Sequence, residues 1–449
     1  MLIMLKFALL LAPIAGLAVE PCRIELIDME NGWPVPLVEL RSTHETRHVS
    51  DNLGLIAIDD PDLLDREIFL HVQGHGYGVP KDGFGFEGVR TTLKAGGKFR
   101  IELERRNIAK RLGRLTGAGL FAEGEKLGIA PLLPETGIFG CDSVLTAQFG
   151  DKLFWLWGDS TVPSYPLGVF HSTAATTSKM PLDTFQPPLA LAFTHFRDET
   201  GRPRGVAQIP GDGPTWLSGL VAFPNNSLVA TYSKIKGFLE EYEVGLCVWD
   251  AATAKFIPDR ILWKTAAGRP QPLLLKGHPV RWQDPAGKRW LLFGDPFPAA
   301  RCPDDFESWK NPATWEGLAL PAAPRATADG SEIRPHRGSI AWSPFRKRWI
   351  AIFTQNLGKP SAFGEIWYSE AESPLGPWQK TIKILSHDNY TFYNPRIQSE
   401  LTPDDASFIL FEGTFTAEFA HHAQPTPRHN YNQILYRLDL DNPKLAPLR

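Results

Sequence analysis

Hydrophobic and polar positions alternate in short pieces between Arg23 and Glu104, and turn-forming stretches such as ENGWP, SDNLG and GHGYG separate the pieces. Alternation with a period of two is typical of half-buried strands, and clusters of Gly, Pro, Asn and Asp are typical of turns. Six or seven strands in this span predict a small antiparallel β-sandwich over residues 22–105. We find no cluster of acids, His or Cys in this segment, so we expect it to be a structural module.

A different pattern begins beyond residue 135. Five apolar, aromatic-rich strands start at positions 152, 227, 288, 347 and 406, and several are followed by a second strand that carries a Trp or Tyr. Each interval is long enough for a four-stranded sheet, and such sheets bury both faces only by stacking around an axis. A pair of large sandwiches would not explain this recurring order, and a β-helix has shorter periods. We therefore predict an all-β chain in which a linker, 106–135, joins the sandwich to a five-bladed β-propeller, 136–445.

Composition and charge narrow the classes of partner. The 39 Gly and 39 Pro suit many turns between short strands, and the formal charge of −3 provides no basic field for a nucleic acid. A neutral or mildly polar substrate is more compatible with this charge. The four cysteines are scattered without a CxxC pair, which disfavours a zinc site and leaves open one or two disulfides of unknown pairing.

The first residues, MLIMLKFALLLAPIAGLAVEPC, have the pattern of a secretory signal peptide. One Lys precedes an apolar run, and Gly16 and Ala18 are small residues at the positions that a signal peptidase requires. The run is shorter than the roughly 20 residues that span a membrane. We expect cleavage after residue 18, a secreted or periplasmic protein, and no membrane span in the mature chain.

The mouth of a propeller channel is a concave site to which different blades contribute equivalent positions. Polar residues beside the repeated strands are therefore the candidates. The candidate catalytic acids are Asp142, Asp159 and Glu412; the candidate substrate-binding residues are Trp216, His278, His336, Arg337, Tyr393, Asn394 and Arg396. Paired carboxylates suit glycoside hydrolysis, and the other side chains are of the types that hold or stack on sugars.

Each of these residues also has an ordinary structural interpretation. Asp159, Asp295 and Glu412 follow their strands at similar offsets, in LWGD, LFGD and LFEG, and an Asp after a strand is usually a turn residue. We expect a turn at Asp295, which precedes Pro, whereas Glu412 is harder to explain as a turn residue. His278 and His336 lack HxH or HExxH spacing, so we expect structural or sugar-binding roles rather than metal ligation. No cofactor is expected, although a channel cation such as Ca²⁺ would leave almost no trace in the sequence.

Two segments resemble known families. GCDSVLTAQFGDKLFWLWGDST, with YPLGVFHSTAATT after it, resembles the first blade of five-bladed propeller glycoside hydrolases, in particular bacterial families related to endo-acting D-arabinan hydrolases. YNPR and GEIWYSEAESPLGPWQK resemble later parts of arabinanase-type propellers, so the likeness covers about residues 136–442. The likeness implies that one of Asp142 and Asp159 is the base or nucleophile and that the other is the acid. Ser160 stands where those families usually have Thr. NGWPVPLVELRSTHETRHVSDNLGLIAIDDP and VQGHGYGVP resemble carboxypeptidase-regulatory-like, transthyretin-like sandwich modules.

We therefore predict an exported glycoside hydrolase that acts on a poly- or oligosaccharide at the axial mouth, with Asp142 as base or nucleophile. Two alternatives stay open. The propeller could bind a glycan or serve as a scaffold without catalysis, because propellers host many unrelated functions. A polysaccharide lyase would need a Tyr or His base and a neutralised uronate, which Tyr393, His336 and Arg396 could supply. The sequence leaves the glycan, the linkage and the oligomeric state open.

Overall fold

The computed structural model describes residues 19–448 except 118–120, 131–132, 134–135, 170, 179–185, 190, 266–268, 421–425, 427 and 429, and describes 165–168 by their backbone alone. The predicted signal peptide, 1–18, lies outside the described residues. Within them, no helix is both long enough and apolar enough to cross a membrane.

The N-terminal part is a sandwich of two four-stranded sheets, ordered β4-β1-β8-β6 and β3-β2-β5-β7. Its strands are β1 Cys22–Asp28, β2 Glu39–Ser42, β3 Arg47–Val49, β4 Leu55–Ile58, β5 Glu67–Gln73, β6 Tyr77–Gly78, β7 Gly88–Thr92 and β8 Lys98–Arg105. Alternate residues such as Ile24, Leu40 and Leu70 meet in one core between the sheets. The prediction of a sandwich is confirmed, but β1 pairs with β8 in parallel, so the sandwich is not wholly antiparallel.

Five further sheets follow, each built mainly of antiparallel neighbours. Blade 1 consists of β11 Val144–Phe149, β12 Lys152–Trp157, β15 Ala174–Ser178 and β16 Thr194–His195, and blade 2 of β17 Thr215–Ala222, β18 Leu228–Lys236, β19 Glu240–Asp250 and β20 Lys255–Lys264. Blade 3 consists of β21 His278–Gln283, β22 Arg289–Gly294, β23 Pro298–Pro303 and β24 Glu316–Gly317, and blade 4 of β26 Pro335–Ser343, β27 Arg348–Gln355, β28 Ile366–Ala371, β29 Lys380–Leu385 and an added β25 Arg325–Ala326. Blade 5 consists of β30 Thr391–Ile397, β31 Phe408–Thr416, β32 Asn432–Asp439 and β9 Lys110–Arg114. Smaller elements are β10 Gly140–Cys141, β13 Ser160–Val162, β14 Tyr165–Val169, the helix α1 Phe306–Lys310 and 3-10 turns at Glu123–Leu127, Pro312–Thr314 and Pro443–Leu448.

The first strands of the five blades close into a ring. Strand β11 contacts β17, β17 contacts β21, β21 contacts β26, β26 contacts β30, and β30 returns to β11. The predicted five-bladed propeller is therefore confirmed. The repeated apolar strands of the sequence are the second strands of the blades, which are apolar because strands flank them within the sheet and neighbouring blades cover their faces.

At least one hydrogen bond that involves a side chain joins each blade to the next. These bonds are Ser143 N to Thr414 Oγ1 at 3.0 Å, Trp216 Nε1 to Asp159 Oδ1 at 3.0 Å, Gly277 N to Ser218 Oγ at 2.8 Å, Gly338 N to Asp295 Oδ1 at 2.7 Å and Ile397 N to Ser339 Oγ at 2.7 Å. Asp295 lies in the bend between β22 and β23, where we expected a turn, but its carboxylate accepts from Gly338 N of blade 4 rather than from a nearby backbone N–H. The bonds fix neighbouring blades against each other around the channel.

Strand β9 lies inside the segment that we expected to be a linker. It pairs with β32 and so supplies the outermost strand of blade 5. Its buried Arg111 donates to the carbonyls of Pro36 at 2.9 Å and of His75 at 2.8 Å, both in the sandwich, and to the hydroxyl of Tyr436 at 3.1 Å in blade 5. The segment between the two domains is thus part of the propeller and is bonded to both. The four cysteines, for which one or two disulfides were open, are all free and buried.

Candidate active site

Asp142 and Asp159 lie directly opposite each other at the open end of blade 1. Strands β11 and β12 pair with Val144 opposite Trp157, and β10 and β13 pair with Cys141 opposite Ser160. The same register places Asp142 opposite Asp159, and the Asp142 N–H donates to the Asp159 carbonyl at 2.8 Å. Opposed residues of antiparallel strands have Cβ atoms about 4.5–5.5 Å apart, and the charge of Asp142 acts on Asp159, so the two side chains are neighbours.

Several donors hold the Asp142 carboxyl. Ser143 Oγ donates to it at 2.6 Å, and the Tyr393 hydroxyl donates to it from blade 5. The Asn394 amide in turn donates to Ser143 Oγ, and both residues have a left-handed backbone, with φ of 51° and 25°. Burial raises the pKa of Asp142, while the two hydroxyl donors and the charge of Arg337 act against the rise. Strain at two positions beside one carboxyl is typical of a functional site.

Asp159 has a different environment. Trp216 of blade 2 donates its indole N–H to Asp159 Oδ1 at 3.0 Å. Burial raises the pKa of Asp159 to about 6; the Trp216 hydrogen bond lowers it, and the neighbouring Asp142 charge raises it. Of the two carboxyls, that of Asp159 keeps its proton in mild acid, whereas that of Asp142 is surrounded by donors that favour its ionised form.

Blades 3 and 4 place an ion pair and two histidines at the same end of the channel. Arg337 Nη1 donates to Asp295 Oδ2 at 2.6 Å, and its charge also reaches Asp142. Burial lowers the pKa of His278 to about 3, and the charges of Arg396 and Arg337 lower it further. Burial and Arg337 also lower the pKa of His336. Both imidazoles are therefore neutral near pH 7 and suited to hydrogen bonding.

Aromatic rings continue the site from blade 5 to blade 4. The Tyr393 ring lies 6.0 Å from Phe419, Phe419 lies 6.1 Å from Phe363, and Phe363 lies 4.5 Å from His336. Tyr431 also hydrogen bonds to Tyr393. The sequence reasoning missed Phe363, Phe419 and Tyr431, which lie in or beside loops that follow second or third strands. We call the side chains of all five blades that meet here the mouth cluster: Asp142, Asp159, Trp216, Asp295, His336, Arg337, Phe363, Tyr393 and Phe419.

The structure does not bring Glu412 or Arg396 to the mouth cluster. They pair across β30 and β31, and Arg396 is bonded to the Thr146 carbonyl at 2.9 Å and to Glu400 at 2.7 Å. Glu412 is fully buried two residues, about 7 Å, below Thr414 on the same strand. Among the described residues neither of its carboxyl oxygens has a well-formed hydrogen bond, and burial raises its pKa to about 8. A protonated, enclosed Glu412 cannot contact a substrate at the mouth.

The described residues contain no group of three or more His, Cys, Asp or Glu side chains arranged to hold a metal ion. The mouth cluster itself presents three carboxyl groups, hydrogen-bond donors and aromatic surfaces. Such a set fits acid–base or nucleophilic chemistry on a polyhydroxylated ligand.

No protein-family model matches the sequence, and no curated protein matches it. Solved structures do align with it. An exo-β-1,3-galactanase from Phanerochaete chrysosporium with β-1,3-galactotriose is 12% identical over 66% of this chain and 60% of its own, with a TM-score of 0.39. A Bacillus subtilis arabinanase is 12% identical over 67% and 96%, with a TM-score of 0.36. A GH43_1 enzyme from Xanthomonas citri complexed with xylotriose is 11% identical over 69% and 88%, with a TM-score of 0.39.

Proposed function

We propose that this protein is an exported glycoside hydrolase in which Asp142 and Asp159 cleave a glycosidic bond at the mouth of the propeller. The observation that carries the proposal is the opposed carboxyl pair, whose members have different environments. Like charges directly opposite on paired strands destabilise a sheet. The interblade bond from Trp216 gives Asp159 a structural role, but that bond does not call for a second carboxyl opposite it.

The environments assign the roles. Asp159, with a pKa raised to about 6, acts as the general acid that protonates the leaving oxygen. Burial raises the pKa of Asp142 as well, but the bonds from Ser143 and Tyr393 oppose that rise by stabilising its ionised form, and in this proposal Asp142 acts as the base or nucleophile. Arg337 and the neutral His336 border the same space and are suited to holding sugar hydroxyls.

The lyase alternative has less support. Burial and the Asp142 charge raise the pKa of Tyr393 well above its ordinary value, so this phenol does not act as a base near neutral pH. Arg396, which would neutralise a uronate, is enclosed between blade 5 and blade 1 and bonded to Glu400. His336 alone would have to supply the lyase chemistry.

The test uses Asp142→Asn and Asp159→Asn with a panel of polysaccharides and with readouts for new reducing ends and for unsaturated products. We expect the unaltered protein to release reducing ends from at least one glycan, and each variant to lose at least 100-fold in turnover while still binding that glycan. Asp151→Asn is the matched control, because Asp151 is exposed in the β11–β12 turn at the other end of the hairpin. Full turnover in both variants would contradict the assignment, and an unsaturated product would identify a lyase.

Export is a separate part of the proposal and depends on the pattern of residues 1–18. We expect the secreted or periplasmic fraction of expressing cells to contain a chain that begins after Ala18. N-terminal sequencing of that fraction checks the cleavage position, and an uncleaved chain confined to the cytoplasm would refute it.

A further inference from the structure

Two aromatic rings of the mouth cluster, the exposed Phe419 and the half-buried Phe363, lie to one side of the acid pair. The innermost strands start at the mouth, so the second strands return to it, and the loops that follow the second strands lie on the mouth face. Phe363 lies in such a loop of blade 4, and Phe419 in that of blade 5. Phe419 is 58% exposed and has a left-handed backbone with φ of 58°. A bulky residue in this conformation is a genuine outlier.

Hydrogen bonds hold both loops in place. The Phe363 carbonyl accepts from Phe392 N of β30 at 2.9 Å, which ties the blade 4 loop to blade 5. Beside Phe419, the Glu418 carbonyl accepts from Thr391 Oγ1 at 2.5 Å, and Glu418 N donates to Thr416 Oγ1 at 3.1 Å. The backbone beside both rings is therefore held by hydrogen bonds, and the two rings, with centroids 6.1 Å apart, form an apolar wall. A ligand need not order this backbone on binding.

The wall is separated from the acid pair by one aromatic ring. Tyr393 bonds to Asp142 through its hydroxyl and lies 6.0 Å from Phe419 through its ring. A sugar held at Asp142 and Asp159 therefore does not cover Phe419. The next residue of the same glycan, on the side of blades 4 and 5, reaches the wall.

Charge restricts what this residue can be. The mouth cluster carries three carboxyl groups and one guanidinium, and that guanidinium, of Arg337, is already bonded to Asp295 at 2.6 Å. An anionic sugar would meet net negative charge and an apolar wall. A neutral sugar presents hydroxyls at its edge and C–H groups on its face, which suits an aromatic surface.

We propose that Phe363 and Phe419 form a subsite for a second, uncharged sugar residue, so that the site selects neutral glycans of at least two residues. The inference rests on the proposed function for its chemistry but concerns binding, so it can fail independently. Neither ring contacts the acid pair, and Phe419 accordingly acts on affinity rather than on the chemical step.

The experiment measures binding by calorimetry to the Asp142→Asn protein, which cannot turn its ligand over under the proposed function. The probes are arabino-, xylo- and galacto-oligosaccharides of one to four residues and oligogalacturonides of the same lengths. Phe419→Ala and Phe363→Ala are compared with Phe419→Tyr, which keeps a ring, and with Phe345→Ala. Phe345, 42% exposed, lies in the β26–β27 turn on the face away from the mouth and is the matched control.

We expect a neutral oligosaccharide to bind more tightly than its monosaccharide, and each Ala variant at the wall to weaken oligosaccharide binding about tenfold, the loss of one aromatic contact. Monosaccharide binding, Phe419→Tyr and Phe345→Ala should match the parent. Unchanged oligosaccharide binding in both wall variants would overturn the subsite, and so would tighter binding of oligogalacturonides or no binding of any neutral probe. Failure of hydrolysis by the unaltered protein would overturn the proposed function and leave these binding results interpretable.

Discussion

Replacing Trp216 by Phe isolates the hydrogen bond that controls the proposed general acid. The indole N–H donates to Asp159 at 3.0 Å and stabilises its ionised form, whereas burial and the Asp142 charge favour the protonated form. Phe keeps an aromatic surface at the mouth but has no donor. The variant therefore changes the protonation of Asp159 while leaving the stacking surface in place.

The size of the effect follows from the strength of the bond. A hydrogen bond to a charged group contributes about 1.5–3 kcal/mol, and a partly exposed carboxyl is near the lower limit. One pKa unit corresponds to about 1.36 kcal/mol. The pKa of Asp159, about 6 in the unaltered protein, should therefore rise by about one unit in Trp216→Phe.

The assay is the pH dependence of kcat/KM, which reports the pKa values of the free enzyme. A general acid must carry its proton, so activity falls as pH rises through its pKa. We expect this alkaline limb to lie near pH 6 in the unaltered protein and to move about one unit higher in the variant, with little change below the limb. Trp342→Phe, on the face away from the mouth, should leave the profile unchanged. A limb that stays in place or moves to lower pH in Trp216→Phe would refute the role of Asp159.

Four further outcomes test other parts of the structure. Glu412→Gln should keep full turnover and raise the melting temperature. Burial raises the pKa of Glu412 to about 8 from an ordinary 4.5, so the unaltered protein loses stability as pH rises through this range. Differential scanning calorimetry should therefore show no gain in melting temperature from the substitution below about pH 4 and a gain of several degrees above pH 8. Asn394→Gly, which accepts the left-handed backbone but lacks the amide, should lower kcat about tenfold at constant KM, while Asn389→Gly, exposed and also left-handed with φ of 54°, should not. Arg111→Met should destabilise the protein by about 3 kcal/mol in denaturant titrations, because it removes the charged donor from buried carbonyls of the sandwich and from the Tyr436 hydroxyl of blade 5. The carboxyl groups of the acid pair lean toward different blades, which favours the wider separation of inverting enzymes, about 6.5–9.5 Å, so NMR of the initial product should show inversion at the anomeric carbon.

Much of the architecture could be read from the hydrophobic pattern. The repeated second strands are apolar enough to stand out, and their number and spacing predict the five blades. The acid pair also follows from local sequence, because a hairpin that turns at residues 150 and 151 places Asp142 opposite Asp159. Local pairing rules are sufficient to place the pair, since the backbone pairing that sets Asp142 opposite Asp159 lies within one hairpin.

Other features depend on strand length and on distant contacts. Glu412 also follows an apolar run, as Asp159 does, but β31 continues to Thr416 whereas β12 ends at Trp157, so Glu412 lies inside its strand. Nothing in the letters LFEG signals that continuation. Phe419 is an unremarkable residue until its exposure and backbone conformation are known. Strand β9 escaped notice because its partner, β32, is at the other end of the chain.

The closing strand β9 sets the order in which the propeller can be completed. Arg111 and its partner Tyr436 are 325 residues apart, so blade 5 must wait until β32 has been synthesised, whereas its outer strand leaves the ribosome before blade 1. Joining ends at that separation costs about 5 kcal/mol of chain entropy. The sandwich is complete by then, and its carbonyls can already hold Arg111. The sandwich thus holds β9 in place until β32 pairs with it, which gives the N-terminal domain a role in assembly of the propeller.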